Sequence, residues 1–407
     1  MRKVRVLAVV SDLHFGGGEN RILNIASAID KTRFDYQVAT LYRPDAGMCS
    51  RLGDMREEFR RAGIPVTHLD LPRPRPTSRS RAAQVTSTSA VLAMTIWRLR
   101  ALFEHMRPDA IDAHLQPAVL TAIPAALLAR VPVALTLYHA EPLGFAHRSL
   151  AHACIRRASA LVTDSYSSAE TLATSSGRGW RQVYVVPNGV RLSPPSLPRR
   201  DTLAALGVPP STRTVVAQIA GLVPSKGYDT LLDAAARFLP HHPDAVLLCV
   251  GYPREQTTYV DSLKRRAREL GIGDQVRIVS WPGSIADVWG VVDVHVHASH
   301  YDSLPNAVIE GMSLGRPAVV TSTGGIPELV SHEHNGLVVE PRNATALADA
   351  VSRMLRDEHL RRRLGGAAKQ EFDERCAPGV MTQALEKMFC QLAGSRPPRP
   401  FLGRAVP

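Results

Sequence analysis

The segment Asp302-Ser-Leu-Pro-Asn-Ala-Val-Ile-Glu310 carries two carboxylates eight positions apart. Proline is favoured in the first turn of a helix, so Asp302 is predicted in the preceding loop and Glu310 a turn or more inside the helix. Both side chains could then face one cleft. Carboxylates accept hydrogen bonds from vicinal hydroxyls, as in dinucleotide-binding folds, so the pattern suits a nucleotide sugar. Such spacing arises more often when the aspartate caps the helix and the glutamate within the helix has no functional role.

Two glycine-containing turns, one in each half of the chain, precede helical patterns. Gly16-Gly17-Gly18 follows the first candidate strand. A glycine turn lets a helix amino terminus bind an anion, although turn geometry alone also requires glycine. Lys226-Gly227 occupies the corresponding position in the second half. Because the helix dipole disfavours a cation there, Lys226 indicates an anionic ligand, with a solvated surface lysine as the equal alternative.

These residues lie between alternating apolar strand candidates and amphipathic helices, a pattern typical of parallel sheets covered by helices on both faces. The candidate strands are Val4–Val10, Tyr36–Leu41, Val66–Leu69, Ala110–Ala113, Val133–Leu137, Leu161–Thr163, Val183–Val186, Val215–Ile219, Ala245–Val250, Val276–Val279, Val294–Val296, Ala318–Thr321 and Leu337–Val339. The sequence predicts an α/β protein with two Rossmann-like, doubly wound parallel-sheet domains. Such sheets bind ligands beyond the carboxyl ends of their strands, so we expect the active site in a central cleft between the facing domains.

The alternation pauses in a Pro-rich stretch at 193–198 and then restarts. We therefore predict a first domain over 1–193 and a second over 194–375. A C-terminal helix over 376–393 could pack back on the first domain. The Pro- and Arg-rich tail, 394–407, is predicted to be disordered.

Composition places the chain among folded proteins. Its 407 residues, 45% hydrophobic and 21% charged, suffice for two or three domains. No apolar run reaches the ~20 residues of a membrane span, and no signal-peptide core is evident, so we expect a cytoplasmic protein. Five scattered cysteines without CxxC spacing predict neither disulfides nor a zinc knuckle. The net charge of +12 fits an anionic substrate or membrane; nucleic acid is disfavoured because no aromatic stacking platform accompanies the dispersed charge.

Six motifs occur in order along nearly the whole chain. They are Gly16-Gly-Gly-Glu19, Leu135-Thr-Leu-Tyr-His139, Val185-Val-Pro-Asn-Gly189, Lys226-Gly227, Asp302 to Glu310, and Thr323-Gly-Gly-Ile-Pro-Glu328 with Asn335-Gly336. In this combination the chain resembles the retaining glycosyltransferases of family 4, which have the GT-B fold. The resemblance makes 1–193 the acceptor domain and 194–375 the nucleotide-sugar donor domain.

The resemblance also implies roles for individual residues. Glu310 would bind the ribose hydroxyls of the donor, Asp302 would bind hydroxyls of the transferred sugar, and Lys226 would stabilise the leaving diphosphate. His139 would lie near the anomeric centre. Backbone N–H groups of the segment from Leu304 through Pro305 to Asn306 would assist at the diphosphate, as would those of Gly17 and Gly18. No cofactor and no metal is expected, because cationic side chains and backbone donors stabilise the charge instead.

Two positions depart from the family pattern. The family usually has Glu where this chain has Asp302, and the arginine that accompanies the lysine on the diphosphate corresponds to Gly221. Arg21 or Arg254 could substitute for that arginine. A metal site at His295 and His297, with His300 close behind, is disfavoured because a site needs converging ligands. The alternation of these two histidines with valines fits a strand edge near the cleft equally well.

The predicted function is sugar transfer from a nucleotide diphosphate donor to a hydroxyl, with retention of configuration, in polysaccharide or glycolipid synthesis of the cell envelope. The acceptor would be a glycan or a lipid-linked molecule. A nucleotide-sugar epimerase of the same fold and a non-catalytic nucleotide-sugar-binding protein are the alternatives.

A basic segment at 72–81 precedes an amphipathic stretch, Val91–Phe103, that mixes arginines with apolar residues. Basic residues are attracted to anionic lipid, so this flank could dock on the inner face of the membrane as a peripheral contact. The segment 72–81 itself is predicted to be a mobile loop. An ordinary domain helix with a solvated arginine face explains the pattern equally well.

Overall fold

The computed structural model describes residues 2–14, 16–43, 53–73, 81–138, 148–177, 183–252 and 257–394. Contacts divide the chain into two compact units. The first consists of Met1–Gly189 with Pro378–Pro407, and the second of Val190–Ala377. Each unit contains its own parallel sheet.

The first unit is built on a seven-stranded sheet. Its strands are β1 (Val4–Val10), β2 (Phe34–Tyr42), β3 (Val66–Leu71), β4 (Ala110–His114), β5 (Val133–Thr136), β6 (Ala160–Thr163) and β7 (Val183–Val185). Their order is β3-β2-β1-β4-β5-β6-β7. The chain therefore changes direction across the sheet between β1 and β4, and ligands of open α/β sheets bind at such a switch point.

Helices cover both faces of this sheet. They are α1 (Gly17–Ala28), α2 (Arg56–Arg61), α3 (Arg81–Met106), α4 (Leu115–Ala129), α5 (Arg148–Arg157) and α6 (Tyr166–Ser176). Strand β1 alternates between two cores, with Leu7 and Val9 in one and Val6 and Ala8 in the other. Because both faces are buried, the strand has the continuous apolar sequence from which it was predicted.

The second unit repeats this architecture with six strands. They are β8 (Thr214–Ile219), β9 (Ala245–Val250), β10 (Val276–Val279), β11 (Val294–His297), β12 (Ala318–Thr321) and β13 (Leu337–Val339). Their order is β10-β9-β8-β11-β12-β13, with the switch point between β8 and β11. Each of the thirteen candidate strands overlaps one of the strands in the two sheets, so the predicted α/β fold class is confirmed.

Helices also surround the second sheet. They are α7 (Arg199–Ala205), α8 (Tyr228–Phe238), α9 (Thr257–Glu269), α10 (Ile285–Val291), α11 (Asn306–Ser313), α12 (Ala344–Arg356) and α13 (Glu358–Arg375). A short 3-10 turn, Pro224–Lys226, leads into α8. Pro305 is the N-cap of α11, so the short helix that carries Glu310 begins just after the proline.

The last helix, α14 (Pro378–Ala393), belongs to the first unit. It packs on α1 and β1, and Met381, Leu385 and Phe389 join the core beneath them. At the surface, Glu386 Oε1 accepts a hydrogen bond from Asp30 N at 3.0 Å. Apart from Gly394, the predicted disordered tail at 394–407 lies outside the described residues, as does most of the predicted loop at 72–81.

Neither a disulfide nor a membrane-spanning helix occurs among the described residues. Cys154, Cys249 and Cys376 are buried free thiols, and Cys390 is half-buried and free. Burial raises the pKa of Cys249 and of Cys376 to about 12, so both stay protonated. In the described part of the chain, no helix is long and apolar enough to cross a bilayer. Cys49 lies outside the described residues.

Candidate active site

Lys226 lies in a turn that is fixed to the neighbouring strand by a buried amide. Gln218, on β8, donates from Nε2 to the Lys226 carbonyl oxygen at 2.8 Å. The same amide accepts at Oε1 from Ala298 N, just after β11, also at 2.8 Å. Gly227 follows with φ +66°, and a Cβ there would lie 2.0 Å from the Ala298 carbonyl oxygen. Only glycine therefore fits at this position.

Asp302 lies in the loop after β11, and two donors meet at one of its oxygens. Lys226 Nζ is 2.5 Å from Asp302 Oδ2, and His297 Nε2 is 2.8 Å from the same atom. Burial alone would raise the pKa of the Asp302 carboxyl, but the His297 hydrogen bond and the Lys226 charge outweigh burial and hold that pKa well below its usual range. Asp302 is therefore ionised at neutral pH.

The Asp302 loop is supported from behind by the two glycines of the Thr323-Gly-Gly motif. Gly324 has φ +52°, and a Cβ at this position would lie 2.0 Å from the Asp302 carbonyl oxygen. Gly325 N donates to the Ser303 carbonyl oxygen at 2.7 Å. The motif thus contributes close backbone packing against the acidic loop.

Glu310 is the fifth residue of α11 and is half-buried. Its Oε2 accepts a hydrogen bond from Trp289 Nε1 at 2.8 Å, and the Trp289 side chain is fully buried. Burial raises the pKa of Glu310, and the Trp289 hydrogen bond offsets only part of this increase. The two carboxylates of the segment therefore have opposite pKa shifts.

A layer of aromatic rings lies behind both acids. The His295 ring meets the Trp289 ring edge-on at 5.0 Å between centroids, and it lies 6.0 Å from the His297 ring. Burial lowers the pKa of His295 well below its usual value, so this ring is neutral. A Cβ at Gly311 would come within 3.1 Å of Trp289, so glycine lets α11 approach this layer. Within the described chain, these histidines belong to no group with metal-ligand spacing.

The residues predicted to lie at the diphosphate, Leu304, Pro305 and Asn306, are at the amino terminus of α11. Pro305 has no backbone N–H, so only Leu304 and Asn306 carry one that could serve this role. Leu304 is buried in a core cluster with Val308. Its side chain therefore anchors the loop. The proposed role of these backbone N–H groups on a phosphate stays a prediction.

In the first unit, α1 begins at Gly17, and a Cβ at Gly18 would lie 3.1 Å from Leu115 Cδ1. Close packing thus accounts for Gly18 independently of any ligand. The Glu19 carboxylate folds back beside Gly16, so a negative charge already lies at this helix end. Binding of an anion by Gly17 and Gly18 stays a prediction.

Asp12, His14 and Glu19 bring one possible ligand atom each to within 4.8 Å of the others. His14 Nδ1 contacts Asp12, and the Arg73 guanidinium forms an ion pair with the same carboxylate. A metal ion there would lie close to a positive charge that already neutralises one of its ligands. The group is therefore a poor cation site.

Arg21, one of the two candidates for the arginine missing at Gly221, makes its hydrogen bonds within the first unit. Its side chain is 1% exposed, and one guanidinium nitrogen bonds to the Val186 carbonyl oxygen at 2.9 Å and to the Asn188 side chain. Arg21 therefore fixes α1 to the segment that follows β7. The other candidate, Arg254, and the predicted catalytic residue His139 lie outside the described residues.

Three residues of the site were not predicted as such: Gln218, Trp289 and His297. Gln218 offered a signal, because it is a polar residue in the otherwise apolar strand β8 and must find hydrogen-bond partners when buried. The alternation of His297 with valines places it on a strand edge near the predicted cleft but does not indicate its bond to Asp302. Nothing in the sequence around Trp289 indicates its bond to Glu310, which depends on the packing of α10 against α11.

Two family models match the chain in succession. Residues 16–189 match a model described as "Glycosyl transferase 4-like domain". Residues 201–371 match "Glycosyl transferases group 1". The second match includes Lys226, Asp302 and Glu310.

Curated relatives resemble the chain over part of their length. The lipopolysaccharide core biosynthesis glycosyltransferase LpsE of Rhizobium meliloti is 29% identical over 188 residues, which is 46% of this chain and 52% of LpsE. The D-inositol 3-phosphate glycosyltransferase of Corynebacterium jeikeium is 30% identical over 198 residues, 47% of each chain. The matches thus span about half the length of these relatives.

Solved structures share the fold over nearly the whole chain. A glycosyltransferase from Rickettsia africae superposes with a TM-score of 0.79 at 16% identity, covering 97% of this chain and 100% of its own. HepE of Anabaena, solved in complex with UDP and glucose, gives 0.77 at 20% identity and covers 95% and 99%. From the two domain matches and this shared fold, the chain belongs to the glycosyltransferases of the GT-B fold, with a glycosyltransferase 4-like domain followed by a group 1 domain.

Proposed function

We propose that the chain transfers a sugar from a nucleoside diphosphate sugar to a hydroxyl acceptor and retains the anomeric configuration. The observation that carries the proposal is the contact between Lys226 and Asp302 at the switch point of the second sheet. An ammonium beside an ionised carboxylate, near the amino termini of α8 and α11, offers partners for both a diphosphate and sugar hydroxyls.

The two acids would divide the donor between them. Asp302 stays ionised and would accept hydrogen bonds from hydroxyls of the transferred sugar. Glu310, held by Trp289, would accept hydrogen bonds from the ribose hydroxyls. Lys226 would exchange its contact with Asp302 for the leaving diphosphate, because charge builds on that group as the glycosidic bond breaks.

In the expected course the bond from the anomeric carbon to the diphosphate oxygen breaks, through an oxocarbenium-like state. The acceptor hydroxyl attacks on the same face and passes its proton to the departing diphosphate oxygen. The chain's contribution is to stabilise the leaving group and to orient the sugar. Lys226 and the backbone N–H groups of Leu304 and Asn306 would do the first, and Asp302 the second. His139 near the anomeric centre remains part of the proposal by family resemblance alone.

The names of the similar proteins support the choice of substrates. LpsE acts in lipopolysaccharide core biosynthesis, and HepE has also been solved in complex with UDP-glucose. By analogy we propose a nucleotide-sugar donor and a glycan or lipid-linked acceptor for this chain, in polysaccharide or glycolipid synthesis. No cofactor is included in the proposed reaction.

A thermal-shift panel of nucleotide sugars tests the donor assignment. A ligand that binds only the folded state at 100 times its Kd adds about 2.7 kcal/mol to the free energy of unfolding, so the true donor should raise Tm clearly. The matched control is Glu310→Gln, which should weaken binding of every nucleotide that shares the ribose. A panel without any Tm increase would contradict the proposal.

The raised pKa of Glu310 gives this panel a pH dependence. Only the ionised carboxylate accepts from both ribose hydroxyls, so nucleotide affinity should fall as pH decreases through that raised pKa. Nucleotide affinity should be at its full value above the raised pKa of Glu310. As pH decreases, affinity should begin to fall at a higher pH than it would with a glutamate of ordinary pKa. Glu310→Gln should bind weakly with no such loss.

Two other activities would use the same donor site. An epimerase would convert the nucleotide sugar to a new epimer without any acceptor, which incubation with donor alone would reveal. A binding protein without catalysis would raise Tm with the donor but leave every acceptor unmodified. The absence of an arginine at Gly221 is what makes this second alternative worth testing.

A peripheral membrane contact is proposed on the first unit. Exposed apolar side chains occur on three neighbouring helices, α3, α4 and α5: Met94, Trp97, Leu127, Leu128 and Leu150. Trp97 is 65% exposed and is followed by exposed Arg98. Helices α4 and α5 contain no acidic residue. Exposed Trp and Leu beside arginines are typical of surfaces that lie in an anionic bilayer interface.

Vesicle co-sedimentation tests this surface. Trp97→Ser combined with Leu128→Ser should reduce binding to anionic vesicles, because both apolar contacts are lost. Leu314→Ser, which removes an exposed leucine of the second unit, is the matched control and should bind as the wild type does. Equal binding by all three proteins would contradict the proposed surface.

A further inference from the structure

His297 and Lys226 both contact Asp302 Oδ2, but they differ in how firmly they are held. His297 ends the central strand β11, is 1% exposed, and pairs through its backbone with Val320 of β12. Lys226 reaches the carboxylate with a flexible four-carbon side chain that is partly exposed. Of these two donors, the lysine can leave Asp302 for a ligand, whereas the imidazole stays in place.

The hydrogen bond fixes where the imidazole carries a proton. Asp302 is ionised and can only accept, so His297 Nε2 must donate to Oδ2. His297 Nδ1 is buried and has no hydrogen-bond partner. The ring therefore has one polar contact, and that contact is made to the carboxylate.

The arrangement leaves the other carboxylate oxygen available. Asp302 Oδ1 accepts from Ser303 N at 3.2 Å, a long contact within the same loop. Once Lys226 turned to a diphosphate, Oδ2 would keep only the His297 bond. Without that bond, neither of the two side chains that contact Oδ2 among the described residues would hold the carboxylate in its orientation.

We propose that His297 is a positioning residue for Asp302: its Nε2–H holds the carboxylate in the orientation that accepts the hydroxyls of the transferred sugar after Lys226 has moved to the diphosphate. The inference rests on the proposed donor function. It predicts that His297 affects recognition of the sugar and leaves recognition of the nucleoside diphosphate unchanged.

The test compares two variants with two ligands. His297→Gln can place an amide N–H near the position of Nε2, whereas His297→Leu has similar bulk and no donor. The probes are UDP and UDP-glucose, or GDP and GDP-mannose if the wild type binds those instead, with Kd measured by calorimetry. A hydrogen bond to a charged group is worth roughly tenfold to a hundredfold in affinity.

We expect His297→Leu to lose about tenfold or more in affinity for the nucleotide sugar, with the nucleoside diphosphate within about twofold of the wild type. His297→Gln should restore most of the loss. Equal losses for both ligands, or no loss for either, would overturn the proposal. If the wild type binds none of the four probes and no other nucleotide sugar, the proposed function itself fails, and the inference with it.

A second measurement covers the case in which His297→Leu does not fold. In wild-type protein with labelled histidine, nitrogen NMR distinguishes the two imidazole tautomers. We expect His297 to carry its proton on Nε2, both alone and with UDP added. A proton on Nδ1 alone would overturn the inference, because such a ring could not donate a hydrogen bond to Asp302. That result would leave the proposed nucleotide-sugar substrate untouched.

Discussion

Lys226→Ala should lower turnover by about 10²–10³, the usual loss when a donor that stabilises the transition state is removed. The expected effect is large because this chain has Gly221 at the position where the family commonly has an arginine on the diphosphate. Lys226 would therefore carry more of the charge on the leaving diphosphate than in relatives with an arginine at that position. The measurement is steady-state kcat with the donor that the thermal-shift panel identifies.

Two controls separate catalysis from folding. Lys264→Ala removes an exposed lysine from α9 of the same unit and should leave turnover unchanged. Lys226→Ala also removes a charge partner of the buried carboxylate, so its unfolding should be compared with that of Lys226→Ala/Asp302→Asn. If Lys226→Ala turned over at the wild-type rate while remaining folded, Lys226 would have no role at the leaving group.

Gly227→Ala should reduce the free energy of unfolding by at least about 2 kcal/mol, because an L-residue at φ +66° is strained and its Cβ would collide with the Ala298 carbonyl oxygen. Relief of the collision would move the turn that holds Lys226, so the folded fraction should also lose activity. Chemical denaturation with a fixed m-value measures the first effect.

The matched control is Gly366→Ala in the middle of α13. A Cβ at Gly366 meets nothing within 4 Å, and its φ is not in the left-handed region. Alanine there should raise the free energy of unfolding by up to about 1 kcal/mol, since glycine is unfavourable inside a helix. Equal stability of the two alanine variants would show that the Gly227 turn is less constrained than its geometry indicates.

Two residues that contact no proposed ligand hold the loops that carry Lys226 and Asp302. Gln218 connects the Lys226 turn to the end of β11, and Gly324 supports the Asp302 loop. Gln218 is buried at the switch point between β8 and β11, and Gly324 follows the neighbouring strand β12. The separation of Lys226 from Asp302 is therefore set by the register of the sheet as well as by the two side chains.

Much of the architecture was predictable because local patterns determine it. Strands buried on both faces are apolar runs, so β1 and β9 were found with their observed ends. Pro305 marked the start of α11, and this placed Asp302 before the helix and Glu310 inside it. The two glycine turns were found because positive φ and close packing leave few other residue types possible.

Sequence alone determined the fold class, the strand segments and which residues stand at the carboxyl ends of strands. Only the tertiary structure decided which of those residues meet: Lys226 with Asp302, Trp289 with Glu310, and Arg21 with the chain after β7. Strand order brings residues from distant segments to one edge, and burial then decides which charges must pair. The local periodicity from which helices and strands are recognised specifies neither the order of the strands in a sheet nor how deeply a given polar side chain is buried.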